Sequence, residues 1–236
     1  MNLYQRDISR PAVLLDLDGT IVDSRLGIIG SIHRVLEDMG HQPDLEMDLT
    51  WVVGPPLHDL IREILLHYGD DRCDTAISLY RKHYEKGGGM EQTPVFEGMR
   101  ETITTLRASG VRMFIATSKP KHLAEAILHR NDLLHLFDRV YGARPDDSGA
   151  EKPELIADLM KEQNILSNQA VMIGDRRFDI SGAHANNIRA IGVLWGYGGE
   201  QELLESGPEA IASSPTELPA LVQQHLNNAA QHHPHS

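Results

Sequence analysis

Residues 12–23, AVLLDLDGTIVD, constrain the fold more than any other stretch. Ala12 to Leu15 and then Leu17 are apolar on both strand faces, which suits the middle of a parallel sheet covered by helices on either side. Gly19 and Thr20 end the run. Asp16 and Asp18 stand at its carboxyl end and point roughly the same way, so they repel one another unless a cation or a shared task holds them. A metal-assisted site at the sheet's carboxyl edge accounts for both acids, and an Asp-Gly surface turn is the plain alternative.

After Ser24 the apolar period lengthens to three or four residues: Leu26, Ile29, Ile32 and Val35-Leu36, closed by Gly40. Two further helical patterns follow, one after Gly54-Pro55-Pro56 and one over about 74–86, and Gly87-Gly88-Gly89 ends the block. From Pro94 the chain alternates helix and strand. Strands are predicted over 111–118, 137–141, 170–175, 190–195 and 210–212; helices are predicted between them, and a last one runs to about His225. The fold class is therefore α/β, a doubly wound, mostly parallel sheet carrying an inserted α-helical cap. The core takes residues 1–23 and 90–227, the cap 24–89, and a polar tail 228–236 is expected to be disordered; its three histidines are a weak metal alternative.

The later strands end as the first does. Thr117 and Ser118, before Lys119-Pro120, offer hydroxyls and N–H groups to a phosphoryl oxygen, though the same residues read as an ordinary helix cap. Lys152, ahead of a helix, could neutralise both a carboxylate and a phosphate or be a surface lysine. Gly174-Asp175-Arg176-Arg177-Phe178-Asp179 follows the apolar run AVMI and puts Asp175 and Asp179 near one helix start. Together with Asp16 and Asp18 they form an oxygen-rich set, which suits Mg²⁺ better than zinc.

The composition bounds the partners. With 34 acidic against 22 basic residues the net charge is −12, which argues against a nucleic-acid polymer or an anionic membrane surface but leaves room for a small phosphate ester. The single cysteine, Cys73, and the lack of a leader or an 18-residue apolar run read as a cytoplasmic chain. The sequence does not choose between monomer and homodimer.

The order DLDGT, Thr117, Lys152, GDRRFD resembles the four motifs of the haloacid dehalogenase-like hydrolase superfamily, over residues 12–213. The resemblance implies Asp16 as nucleophile and Asp18 as acid and base. It further implies Mg²⁺ held by Asp16, Asp18 through its carbonyl, and Asp175, with Asp179 near or in the shell, and phosphate bound by Thr117 and Lys152, beside the Ser118 hydroxyl noted above. The second acid argues against the dehalogenase branch. No lysine precedes Lys82 and Lys86 in the insert, which argues against phosphonate hydrolysis. The segment 192–199, with its WGYG, is similar to phosphoglycolate phosphatase-like and 5'-nucleotidase-like members and leans to the latter. A phosphomonoesterase acting on a nucleoside 5'-monophosphate is thus the leading expectation, with 2-phosphoglycolate, a sugar phosphomutase and a non-catalytic phosphate binder as alternatives. Arg25, His58 and Arg62 are candidate specificity residues on the cap, and Trp195 or Tyr197 could stack on a base or pack on the sheet.

Overall fold

The structure, a computed structural model, describes residues 10–230. Among these, one six-stranded sheet is formed by β1 (Ala12–Leu15), β2 (Arg112–Pro120), β3 (Arg139–Ala143), β4 (Ala170–Gly174), β5 (Arg189–Val193) and β6 (Ala210–Ala212), in the order β3-β2-β1-β4-β5-β6 with every pairing parallel. The strand period of two sorts the core. Val13, Leu15, Met113, Ile115, Val171 and Ile173 face α4 (Met99–Ala108), α5 (Lys121–Arg130) and α9 (Leu218–Ala230). Ala12, Leu14, Phe114, Ala116, Ala170 and Met172 face α6 (Lys152–Gln163), α7 (Arg177–Ala185) and α8 (Gly199–Ser206). The fold is the expected doubly wound α/β sheet. The chain winds one way from β1 to β3 and returns to the other side at β4, so the crevice of this fold opens beyond the ends of β1 and β4.

Between β1 and β2 the chain forms α1 (Arg25–Asp38), α2 (Leu57–His67), α3 (Cys73–Arg81) and a wide helical turn, Lys82–Lys86. These helices bury an apolar cluster of their own, with Ile32, Leu36, Ile61, Leu65 and Tyr84 at its centre. The block is tied to the core where it leaves and returns: Asp23 N–H donates to the Pro94 carbonyl and Phe96 N–H to that of Ile21.

Three details depart from the sequence reading. The third strand begins at Arg139 rather than 137, because Phe137 fills the core from the end of a short turn and Asp138 accepts the Met113 N–H at 2.8 Å. α8 has no counterpart in the sequence reading; its Leu203 is buried while Glu200 and Glu202 occupy its first turn. The last helix continues to Ala230, past the expected start of the tail, and the histidines at 232, 233 and 235 lie outside the described residues.

Candidate active site

Asp16 follows β1, its N–H bonded to the Ile173 carbonyl of β4 at 2.9 Å. The next residues coil tightly: the N–H groups of Ile21 and Val22 both reach the Leu17 carbonyl, and that of Gly19 reaches Val22. Gly19 has φ +83°, and a Cβ there would lie 2.2 Å from an Asp175 carboxylate oxygen. DLDGT therefore ends in glycine because the chain must turn left-handed and also admit Asp175 from the neighbouring strand.

Asp16, Asp175 and Asp179 converge: one carboxylate oxygen from each lies within 4.8 Å of the others, and all three are buried. Asp179 sits in the first turn of α7 and accepts the Arg176 N–H at 3.1 Å. Asp175 accepts the Tyr197 N–H at 2.7 Å and the Thr20 hydroxyl at 3.3 Å. Lys152 opens α6 with its ammonium 2.8 Å from Asp16 and 2.6 Å from Asp179, while donating to the Ala116 carbonyl at 2.7 Å. Pro153 suits this first helical turn, where no N–H is needed.

One ammonium against three carboxylates leaves the cluster negative. Burial, above all, raises the Asp16 pKa from 3.8 to about 6 despite the opposing pull of Lys152, and Asp179 and Asp18 push it the same way. Burial, followed by the charges of Asp179 and Asp16, holds Asp175 well above the usual carboxylate range. Burial alone would lower Lys152, yet Asp16 and Asp179 outweigh it and keep the ammonium charged. Carboxylates that crowd together at this cost, offering oxygen alone, fit a hard divalent cation.

Asp18 turns away from that cluster. Its Oδ2 is 2.9 Å from the Lys119 ammonium, and its Oδ1 is buried with no hydrogen-bond partner among the described residues. Lys119 in turn donates to the Tyr84 hydroxyl of the helical block at 2.8 Å. Burial opposes the Lys119 charge, but Asp18 and then Tyr84 and Tyr80 more than offset it, so its pKa moves up. The side chain of Asp18 thus lies apart from the carboxylates of Asp16, Asp175 and Asp179. Lys119, which the sequence reading passed over inside its own motif, is the partner that turns it away.

Thr117 is buried in β2, three residues before its end, and accepts the Lys119 N–H at 3.2 Å, which leaves its hydroxyl proton to give. Ser118 lines the cleft, but its hydroxyl donates to the Ala150 carbonyl at 2.8 Å and so anchors the loop ahead of Lys152.

Between core and helical block lies a cleft of about 850 Å³, counted out to its open mouth. Asp16, Asp18, Thr117 and Lys119 are on the core side; Val52, Val53, Pro55, Leu57 and Leu60 make an apolar wall opposite, flanked by Tyr80, Arg81 and Tyr84. Arg25, His58 and Arg62 are absent from this lining. All three are exposed and lie near acids, Arg25 3.5 Å from Asp23 and Arg62 3.3 Å from Asp59, so they do not face this cleft. Spacing along α2 aligned His58 with Arg62, but Leu57 and Leu60 hold the side that faces the cleft.

Trp195 packs on the core and donates to the Thr20 carbonyl at 3.0 Å. The Tyr197 hydroxyl donates to Asp23 at 2.8 Å. Neither lines the cleft; a Cβ at Gly196 would lie 2.2 Å from the Asp175 Cβ, so this glycine-rich loop is a collar around Asp175. Of the arginine pair, Arg177 is exposed, and buried Arg176 crosses to the helical block and donates to the Val53 carbonyl.

The chain belongs to the haloacid dehalogenase-like hydrolases, whose family profile matches residues 13–193. It is 36% identical over 187 residues to the tyrosine-protein kinase PtkA of Mycobacterium tuberculosis, a match that takes in 79% of this chain but 62% of that protein's length. It is 33% identical over 218 residues to a 5'-nucleotidase of Pseudomonas aeruginosa, covering 91% of this chain and 96% of that one. A solved structure described as a predicted phosphatase from Clostridium acetobutylicum superposes with a TM-score of 0.84 at 35% identity, over 91% of this chain and 99% of the other. No helix among the described residues is long and apolar enough to cross a membrane.

Proposed function

We propose that the chain is a Mg²⁺-dependent phosphomonoesterase of the cytoplasm that acts through a phosphoryl group carried on Asp16, with a nucleoside 5'-monophosphate as substrate. The observation that carries this reading is the division of the acids: Asp16 is held by Lys152 beside Asp175 and Asp179, whereas Asp18 is held separately by Lys119. A nucleophile and a proton donor need such different surroundings. PtkA and the 5'-nucleotidase carry names that both denote phosphoryl chemistry, which agrees with the reading.

In the first step a carboxylate oxygen of Asp16 bonds to phosphorus as the ester P–O bond breaks, and the departing oxygen takes its proton from the Asp18 carboxyl group. In the second, water bonds to phosphorus, gives its proton to the Asp18 carboxylate, and the Asp16–phosphorus bond breaks to release phosphate. Thr117 donates its hydroxyl to a phosphoryl oxygen, and Lys152 offsets the charge of Asp16 and of the incoming phosphate. Asp16, Asp175 and Asp179 would hold the cation, which when bound supplies positive charge to the phosphoryl oxygens.

The cleft favours a nucleoside over phosphoglycolate. Arg81 and Lys119, the basic side chains lining its wall, are already paired with Asp147 and Asp18. A carboxylate-bearing leaving group would have to displace one of them, while a nucleoside brings no charge and a flat face for the apolar wall.

Phosphate release from nucleoside 5'-monophosphates, 2-phosphoglycolate and hexose phosphates, in excess Mg²⁺ and in chelator, tests this. The expected result is Mg²⁺-dependent release, highest for the nucleotides and lowered at least about 10³-fold by Asp16→Asn. Parental turnover in Asp16→Asn, or a preference for 2-phosphoglycolate, contradicts it.

A further inference from the structure

Among the described residues, Lys119 lines the cleft with an ammonium that touches both halves of the molecule at the proposed chemistry. Its Nζ lies 2.9 Å from Asp18 Oδ2 on the core side and 2.8 Å from the Tyr84 hydroxyl on the helical block. Tyr84 is itself fixed: 2% exposed, with its ring stacked on Tyr80 at 5.5 Å and 7°. With Oδ2 engaged, the orientation of the Asp18 carboxyl is set and the buried, unpartnered Oδ1 is the oxygen left for other work in the cleft. An ammonium bonded to one carboxylate oxygen aims the other, and Tyr84 limits where that ammonium can stand.

We propose that Lys119 is a positioning residue: it aims the Asp18 carboxyl group at the leaving oxygen, and it is itself held in register by Tyr84, so that the acid is in place when the helical block is seated on the core. This rests on the reading of Asp18 as acid and base. Lys119 makes no bond to phosphorus and accepts no proton from the substrate. Its other neighbour, Thr117, receives the Lys119 backbone N–H, so replacement of the side chain leaves that contact in place.

The test separates aiming an acid from holding a fold or binding phosphate. In single-turnover experiments with Mg²⁺, the first leaving group is followed for a nucleoside 5'-monophosphate, whose alkoxide needs a proton, and for p-nitrophenyl phosphate, whose phenolate does not. Lys119→Met is expected to slow nucleoside release about 100-fold while nitrophenolate release stays within about 3-fold of the parent, with inhibition by inorganic phosphate unchanged. Tyr84→Phe deletes one oxygen, folds even if Lys119→Met does not, and is expected to show the same selectivity at about 5-fold. Equal slowing of both substrates, weakened phosphate inhibition alone, or no change in either variant overturns the proposal and leaves the phosphatase reading standing. A parent that releases neither leaving group overturns that reading and the proposal with it.

Discussion

Asp175 is surrounded by contacts that admit little change. Gly19 and Gly196 leave room on two sides, Tyr197 and Thr20 donate to its oxygens, and Asp16 and Asp179 press against it with like charge. Asp16 shares the strain of that crowding, and a pH dependence follows. Without a cation, folded Asp16 keeps its proton up to about pH 6, whereas its ordinary value is 3.8. Between these values the folded state binds more protons than the unfolded one, so stability falls as pH rises. In chelator, urea denaturation is expected to show the parent losing on the order of 3 kcal/mol relative to Asp16→Asn across this window. Excess Mg²⁺ should flatten the difference. A difference that is level in chelator, or that grows with pH, would contradict it. Asp16, Lys152, Asp175 and Asp179 were legible in the sequence because each follows a strand or lies in the first turn of a helix, and Asp18 and Thr117 because each is a polar residue beside an apolar run. The pairing of Lys119 with Tyr84 was not, since 35 residues and a whole helical block separate them.

At the scale of elements, the connection from β4 through α7 to α8 ties the site to its cover. Arg176 bonds through Nε to Glu202 of α8 at 2.8 Å and through its other nitrogens to Glu202 and the Val53 carbonyl of the helical block. Arg176→Met removes the side-chain donor to the buried Val53 carbonyl and to Glu202, which keeps the Arg177 N–H, and is expected to cost about 2–3 kcal/mol by chemical denaturation. It should also raise amide hydrogen exchange around Val52–Gly54 more than in the sheet. Equal exchange in both regions would show that the arginine braces the whole fold and has no special hold on the block. α8 escaped the sequence reading because Gly198-Gly199 resembles a loop ending and only Leu203 marks a buried face. The strand at 139 shifted for a related reason: Phe137 is apolar and β-prone, yet it reaches the core from a turn. Long apolar runs flanked by glycine or proline fared better, as β1, β2 and β4 illustrate.

For the whole molecule, topology turns sequence-distant acids into neighbours. The reversal of winding between β1 and β4 brings the ends of these strands side by side, so residues 16 and 175 meet without any local signal that they should. The helical block leaves the chain at the same edge, which puts its apolar wall over the acids and away from bulk water. A cover of this kind strengthens charge–charge interactions beneath it and limits the access of bulk water to the acids. The inward side of that cover was beyond reach of the sequence: Arg25, His58 and Arg62 have the chemistry of specificity residues, and the packing of α1 and α2 turns them outward.

All of this depends on phosphorus being bonded, for part of each turnover, to the side chain of residue 16. Rapid acid quench during turnover of a nucleoside 5'-monophosphate, followed by borohydride reduction and peptide mass spectrometry, reads that bond directly, since an acyl phosphate is reduced to an alcohol and a free carboxylate is not. Homoserine is expected at position 16 in the parent and none in Asp16→Asn. Reduction at another residue, or no modified peptide while phosphate is being released, would contradict it.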